Sequence, residues 1–527
     1  MRETRAVVIG AGVGGLSAAA TLAARGVSVT VLERAAAPGG KMREVVAGGA
    51  ALDAGPTVFT MRWVFDGLFS DCGAALEDHV TLIPADLLAR HGWSDGAQLD
   101  LFADPARARD AVAAFAGVAE ADRFDAFRAR AARIYQALEQ PFIAAQKPGM
   151  LDLVRRVGLS RLGALLETTP FQSMAAALAS SFENRKLRQL FARYATYCGS
   201  SPFAAPATLM LVAHVELAGV WLVAGGMHRL ARAIEALAAG HGATFRYGAH
   251  VAAIETAQGR VSGVRLASGE RLGAEIVICN ADAGALGAGF FGADAARAAP
   301  PTPRAERSIS ALVWSAQAQT EGFALARHSV FFDAGDYARE FQAIFAGRRV
   351  TDAPTVYICA QDRGADATDG PQGPERLHIH VNAPADGDTA PMTEKEIARC
   401  ETATLTLLER CGLTVRLRPE ATVLTAPQGF ERLFPATGGA LFGRATHGPW
   451  ATFRRPGGRT RLSGLYLAGG SVHPGPGVPM AAMSGRLAAA AALADRQGPI
   501  SATRSRPAAM PGGMWTGSAT TGDMESR

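Results

Sequence analysis

The chain has 527 residues, 48% of them hydrophobic, ample for a large core. Its net charge of +5 rests mostly on arginine and suits an anionic membrane surface, while nucleic acid is excluded by the lack of a zinc finger, an aromatic RNA platform or a basic run. The six cysteines (Cys72, Cys198, Cys279, Cys359, Cys400, Cys411) form no C-x-x-C pair and read as buried thiols of a cytosolic protein, and no metal-binding signature is present.

The chain opens on a strand, a glycine-rich turn and a helix. Val7-Val8-Ile9 runs into Gly10, Gly12 and Gly15, an Ala- and Leu-rich helix follows, and a second strand, Val27 to Leu32, ends in Glu33. G-x-G-x-x-G between such a strand and helix, with an acid after the next strand, is a dinucleotide-binding pattern. Gly10 permits the tight turn, Gly12 lets the backbone approach a pyrophosphate, and Gly15 lets the helix pack on the strand. The helix start presents free N–H groups and a positive dipole end to the phosphates. Glu33 can accept hydrogen bonds from two ribose hydroxyls, and its charge disfavours a 2′-phosphate, so NADP is not expected. The apolar N-terminal segment is read as this first strand and not as a secretory leader.

Pro38-Gly39-Gly40-Lys41 and Leu52-Asp53-Ala54-Gly55-Pro56-Thr57 come next. Taken alone, the first is a turn and Lys41 a solvated cation. Behind a dinucleotide fingerprint, the two stretches resemble the FAD-dependent amine oxidase and carotenoid desaturase superfamily. The resemblance implies FAD, held without a covalent link. It implies that Gly40 and Lys41 reach the flavin side of the pyrophosphate and that the Gly55-Pro56-Thr57 loop lies against the isoalloxazine ring. Length alone suggests three or four domains, but the resemblance implies two interleaved lobes. The expected fold class is α/β. A Rossmann-type FAD-binding lobe would come from 1–80, 225–285 and 456–497, and a mixed-sheet and helical lobe, binding substrate and facing the membrane, from 81–224 and 286–455.

Residues 105 to 190 are Ala-rich and helical in pattern. Within them, Met150 to Leu166 sets Met150, Leu151, Val154, Val157, Leu162, Leu165 and Leu166 on one broad face, with Arg155, Arg156 and Arg161 on the rest. Such a helix either lies at a membrane surface or packs its apolar side inward. Tyr194 to Ala213 and Pro206 to Met227 are apolar, but glycines and prolines interrupt the first and the second carries His214 and Glu216. They are expected to line a greasy interior, not to cross a bilayer. A helix from Leu230 to Ala239, strands at Thr244–Tyr247, Val251–Ile254 and Val261–Leu266, and the run Glu275 to Asp282 return the chain to the nucleotide lobe. By the resemblance, the Val251 backbone meets the adenine. Strand-like and helical stretches alternate from 286 to about 455. Leu465-Tyr466-Leu467 then leads through Gly469, Gly470 and His473 to Val478, Pro479, Met480 and a helix from about Ala481 to Ala494. A helix start aimed by that turn suits an anion or a flavin carbonyl. Residues 498–527 lack periodicity and read as a disordered tail.

No second G-x-G-x-x-G follows a strand, so a nicotinamide domain is not expected, and no acid–base pair stands out near the flavin motifs. His473 reads as a structural histidine of its turn, His214 and Glu216 as cavity groups or as the wet side of a helix, and the catalytic residue stays unassigned. Oxidising an alcohol or amine usually needs a positioned base. Removing hydride from an allylic hydrocarbon instead leaves a cation that a long polyene delocalises, so a shaped apolar site suffices and the flavin supplies the hard chemistry. The C-terminal turn has Gly469 and Gly470 and lacks the ribitol-binding Asp of amine oxidases, and it is similar to that of bacterial carotenoid desaturases. Tyr194 to Pro202, His328 to Phe332, Tyr357 to Arg363 and His378 to Pro384 resemble one branch, the purple-bacterial hydroxyneurosporene or methoxyneurosporene desaturases. That likeness implies 3,4-desaturation of an acyclic 1-hydroxy- or 1-methoxy-carotenoid by a cytoplasmic enzyme on the lipid surface of the inner membrane. Oxygen or a quinone would be the electron acceptor. The alternatives are a multistep desaturase of the phytoene type, an amine oxidase, and a flavin-free protein of the kind that escorts prenylated GTPases.

Overall fold

The computed structural model describes residues 4–158, 167–364, 371 and 373–496. The expected tail and the second half of the Met150–Leu166 stretch, Arg161 included, lie outside the described residues. The N-terminal elements are β1 (Arg5–Ile9), α1 (Val13–Ala23) and β2 (Ser28–Leu32). The chain returns to them with α2 (His228–Gly240), β3 (Thr244–Arg246) and β4 (Ile276–Cys279), and again with β5 (Leu465–Leu467) and α3 (Val478–Arg496). The five strands form one parallel sheet in the order β5-β4-β1-β2-β3.

A parallel sheet needs cover on both faces, which is why its strands carry apolar residues at successive positions. Ala6, Val8, Val29, Val31, Ile276 and Ile278 pack against α1, α2 and α3. The alternate residues Val7, Ile9, Leu32, Val277 and Cys279 pack on a three-stranded antiparallel sheet, Val251–Ala257, Arg260–Leu266 and Arg271–Gly273. The α1–α3 crossing is tight. A Cβ on Gly485 of α3 would lie 2.0 Å from the Gly14 carbonyl oxygen, and a Cβ on Gly14 would lie 2.7 Å from the Gly469 nitrogen. Backbone therefore meets backbone, and α3 begins at Val478, three residues before the expected start. Pro479 suits its first turn, where a missing N–H costs nothing.

The second sheet is mixed. Its central strand, Ser310–Gly322, pairs with Glu375–Ala383, Leu413–Arg416 and Thr422–Thr425. Val356–Ala360 and His328–Phe332 continue it, and a parallel step joins Leu87–Trp93, paired with Gln98–Phe102. Helix Glu394–Arg410, opened by a Thr393/Glu396 capping box, covers one face through Cys400, Leu407 and Leu408. Helices from Pro105 to Leu217 pack beside the other lobe, and their buried residues merge into the same apolar cluster as α1 and α3. Strands of the parallel sheet come from 5–32, 244–279 and 465–467, and those of the mixed sheet from 87–102 and 310–425, so the chain passes repeatedly between the two.

Candidate functional site

A cavity of about 1530 Å3 runs between the two sheets. Ordinary small-molecule pockets are roughly 300–1,000 Å3, so it has room for more than one small ligand. Gly10, Gly12, Glu33, Gly40, Lys41, Gly55, Pro56, Thr57, Val251, Gly469, Gly470, Val478, Pro479 and Met480 all line it. Gly15 stands behind the wall. A Cβ there would lie 2.1 Å from the Gly10 carbonyl oxygen, so its role is to let α1 close onto the turn.

Gly10 adopts φ +93°, and its N–H donates to the Leu32 carbonyl at 2.8 Å. Gly12 caps α1 with no side chain satisfying the first-turn N–H groups. The Gly39 N–H donates to the Ala11 carbonyl at 2.8 Å, and a Cβ on Gly40 would lie 3.1 Å from the Gly12 Cα. The two glycine turns thus form one backbone shelf beside an uncapped helix start. Glu33 closes the shelf, accepting from the Ala11 N–H at 2.7 Å and the Ala35 N–H at 2.8 Å. A carboxylate has about four lone-pair sites, so Glu33 keeps capacity for hydroxyl donors. These features fit the sugar–diphosphate part of a dinucleotide.

Three side chains have partners that the sequence did not name. Asn280 lies beneath the fingerprint: its Nδ2 donates to the Gly10 carbonyl at 3.3 Å, and a Cβ on Gly12 would lie 2.7 Å from that nitrogen. Gly12 is therefore required by Asn280 as well as by backbone approach. Asp53 does not reach the cavity, and its carboxylate accepts from the Met227 and His228 N–H groups at the start of α2. Lys41 is not a solvated cation. Its Nζ donates to the Leu441 carbonyl at 2.5 Å and sits 5.3 Å from the Phe434 ring, and burial holds its pKa below the usual lysine value.

His473 is structural. It is buried, its Nε2 lies 3.0 Å from the Ala145 carbonyl, and burial pulls its pKa down to about 4. Glu216 lines the cavity and His214 does not. The Tyr194 and Tyr197 hydroxyls donate to Glu216 at 2.6 and 2.9 Å. Tyr197 in turn accepts from Arg193 Nη2 at 2.8 Å. Tyr357 joins this wall: its hydroxyl lies 2.6 Å from Thr57 Oγ1 and 2.8 Å from His328 Nδ1. His380, opposite Tyr357 in the strand register, also lines it, and burial lowers its pKa to about 4. No spacing in the sequence pointed to Arg193 or His380.

Elsewhere the lining is mostly apolar, with Leu138, Phe142, Ile143, Leu209, Val212 and Phe453 among its residues. The cavity reaches the surface where Phe171 is 76% exposed and Trp450 47% exposed, their rings edge to face at 5.7 Å. Helix Met150–Val157 borders this opening. Its face is split: Leu153 and Val157 are buried, while Met150, Leu151 (73%) and Val154 are exposed. Arg156 is tied to the Pro141 and Gln146 carbonyls, and Arg155 lies 3.8 Å from Asp152. Among the described helices, none is long and apolar enough to cross a membrane.

The sequence profile of the family described as flavin containing amine oxidoreductase matches residues 13–493. The chain is 52% identical over 525 residues to the hydroxyneurosporene desaturase of Rubrivivax gelatinosus, covering 99% of each chain. It is 30% identical to a 1-hydroxycarotenoid 3,4-desaturase of Flavobacterium sp., covering 92% of this chain and 98% of the relative. Among solved structures, the cyclohexylamine oxidase of Brevibacterium oxydans shares the fold, with a TM-score of 0.55 at 17% identity over 94% of this chain and all of that one.

Proposed function

We propose that this chain, which belongs to the flavin containing amine oxidoreductase family, is an FAD-dependent desaturase that introduces the 3,4 double bond into an acyclic 1-hydroxy- or 1-methoxy-carotenoid. The observation that carries the reading is one continuous cavity that joins the dinucleotide shelf to an apolar chamber opening among exposed apolar side chains. The relatives' names support the substrate class and the bond. FAD, when bound, supplies the acceptor for the two electrons that leave the carbon chain. The Gly10–Gly12 turn with the α1 start would hold the pyrophosphate, Glu33 the ribose, and the Val251 backbone the adenine. Gly40, Lys41, the Gly55–Thr57 loop, Gly469, Gly470 and the α3 start at Val478, Pro479 and Met480 would frame the flavin end. The apolar lining aligns the polyene and keeps water away from it.

A substrate dissolved in lipid needs a door in the membrane. Leu151, Phe171 and Trp450 support peripheral docking at the cavity mouth on the cytoplasmic side of the inner membrane, and their burial in lipid would supply the attraction. The attraction is assigned to this apolar rim and not to Arg156, which is engaged with backbone carbonyls. The remaining partner is an electron acceptor, oxygen or a quinone.

Expression in one host that makes 1-hydroxyneurosporene and another that makes phytoene tests the reading. A red shift of the hydroxylated carotenoid alone is the expected result. Coloured products from phytoene would replace it with the multistep desaturase. Peroxide released from a panel of amines would replace it with an amine oxidase.

A further inference from the structure

The cavity is apolar along most of its wall, and one cluster of its polar groups lies buried around Arg193. Strands Val356–Ala360 and Glu375–Ala383 bring Tyr357 and His380 opposite one another, and the turn Arg193–Cys198 lays Arg193 over the Tyr357 ring, close enough for its charge to act on His380. The Arg193 guanidinium sits 4.9 Å from the Tyr197 ring centre and 5.8 Å from that of Tyr357. Arg193 is only 7% exposed, yet its side chain makes a single hydrogen bond, Nη2 to the Tyr197 hydroxyl, and no carboxylate pairs with it directly among the described residues. Glu216 favours its charge through space, and by hydrogen bonds is joined to it through Tyr197. Arginine has five N–H donors and no acceptor. The remaining donors face the cavity space and are free to bond an acceptor that arrives with the ligand.

We infer that Arg193, with His380 beside it, receives the oxygen that the substrate carries on C1 and so registers the 3,4 bond against the cofactor. The inference rests on the carotenoid reading of this cavity and deepens it. The ligand it calls for is a hydrocarbon with one neutral oxygen near one end. A donor-only guanidinium bonds a hydroxyl and a methoxy oxygen alike, which accounts for both substrates in one site. Position agrees with chemistry. The Tyr357 hydroxyl, on whose ring Arg193 rests, touches Thr57 of the Gly55–Thr57 loop assigned above to the flavin end. C3 is two carbons from C1, so an oxygen held at Arg193 keeps the reacting bond beside that loop. A carotene without the oxygen would leave those donors without an acceptor from the ligand and slide in register.

The test compares kcat/KM for 1-hydroxyneurosporene, its 1-methoxy counterpart and neurosporene in detergent–lipid micelles, with the FAD-loaded wild type, Arg193→Met, Arg193→Lys and His380→Phe. Retained flavin absorbance confirms that each variant is folded. The wild type is expected to prefer both oxygenated substrates over neurosporene. Arg193→Met should shrink that preference by about tenfold to a hundredfold, the effect of losing a hydrogen bond from a charged donor. Arg193→Lys should restore part of it, and His380→Phe should shrink it less. If Arg193→Met fails to hold FAD, the ratio in His380→Phe decides. A wild type without preference, or variants that keep the wild-type ratio, would overturn the inference while leaving the desaturase reading intact. FAD-loaded wild type that converts none of the three would overturn the desaturase reading itself.

Discussion

Replacing Gly485 by alanine should separate α3 from α1. The new Cβ would lie 2.0 Å from the Gly14 carbonyl oxygen, 2.9 Å from the Gly14 carbonyl carbon and 3.0 Å from the Ala18 nitrogen. Real Cβ atoms essentially never come closer than 3.0 Å, so the helices must part by about 1 Å or more. All three obstacles are backbone, so no rotamer change relieves the clash. Overpacking of this kind costs roughly 1–3 kcal/mol, and a rigid crossing puts the variant at the upper end. A cooperative unit of 150–250 residues loses about 2–4 °C of Tm per kcal/mol, and a larger one less. A fall of several degrees is expected. Because α3 opens with Val478, Pro479 and Met480 on the cavity wall, flavin retention through gel filtration should fall with it. Gly240→Ala is the control. That glycine ends α2, nothing stands within 4 Å of its Cβ position, and alanine there should be neutral or slightly stabilising. Thermal melts and flavin absorbance of both variants decide the matter. A Gly485→Ala protein that melts like wild type and keeps its flavin would refute the reasoning from the crossing.

Further outcomes follow from other walls of the site. Glu33→Gln turns an amide toward the Ala11 and Ala35 N–H groups and should weaken FAD binding by about tenfold or more, since a hydrogen bond to a charged group contributes about 1.5–3 kcal/mol; unchanged affinity in titration of the apoprotein would remove Glu33 from the binding role. Burial lowers His91, His328 and His378 to about 3, and His380, His447 and His473 to about 4. The unfolded chain takes up these protons below about 6.5, so stability is complete above that pH and falls as pH drops toward 4, by up to ~2 kcal/mol per group at pH 5. A urea midpoint equal at pH 7.5 and pH 5 would contradict this. Serine at Leu151, Phe171 and Trp450 together should abolish flotation with liposomes, while Arg155→Glu should change it little; the reverse pattern would return docking to the charges.

What the sequence showed depended on distance along the chain. The β1–α1–β2 unit was readable because its strand, turn glycines and acid fall within thirty-odd residues and each residue type has a local reason. The Gly14–Gly485 crossing was not, since neither glycine breaks a pattern that names its partner. Taken without the resemblance, the turn left Lys41 a solvated cation, because its acceptor, the Leu441 carbonyl, lies 400 positions on. Met150–Leu166 was read as a single apolar face, but hydrophobicity alone does not say which apolar residues stay outside. The rim is visible only once Phe171 and Trp450, far apart in the chain, meet. Asn280 and Asp53 were seen as parts of motifs, and their hydrogen bonds to Gly10 and to the start of α2 depend on the tertiary fold.

Two features of the finished fold run against what folding alone would select. A cation in a dry wall gives little stability, and apolar replacement of such groups is often neutral or favourable. Arg193 is nonetheless there, cushioned by two tyrosine rings and answered at one remove by Glu216. Leucine, phenylalanine and tryptophan side chains left in water invite association, yet Phe171 and Trp450 meet at one opening and Leu151 stands exposed on the helix that borders it. Departures from local consistency collect at functional sites, and these two border the same cavity. A hydrocarbon entering from lipid with an oxygen near one end requires an apolar door and a buried donor. In the proposed reading the exposed rim is that door, and Arg193 is that donor on the wall that touches the Thr57 loop. Neither feature has a use in an enzyme for small soluble amines, which needs no lipid entrance and would be repelled by Arg193.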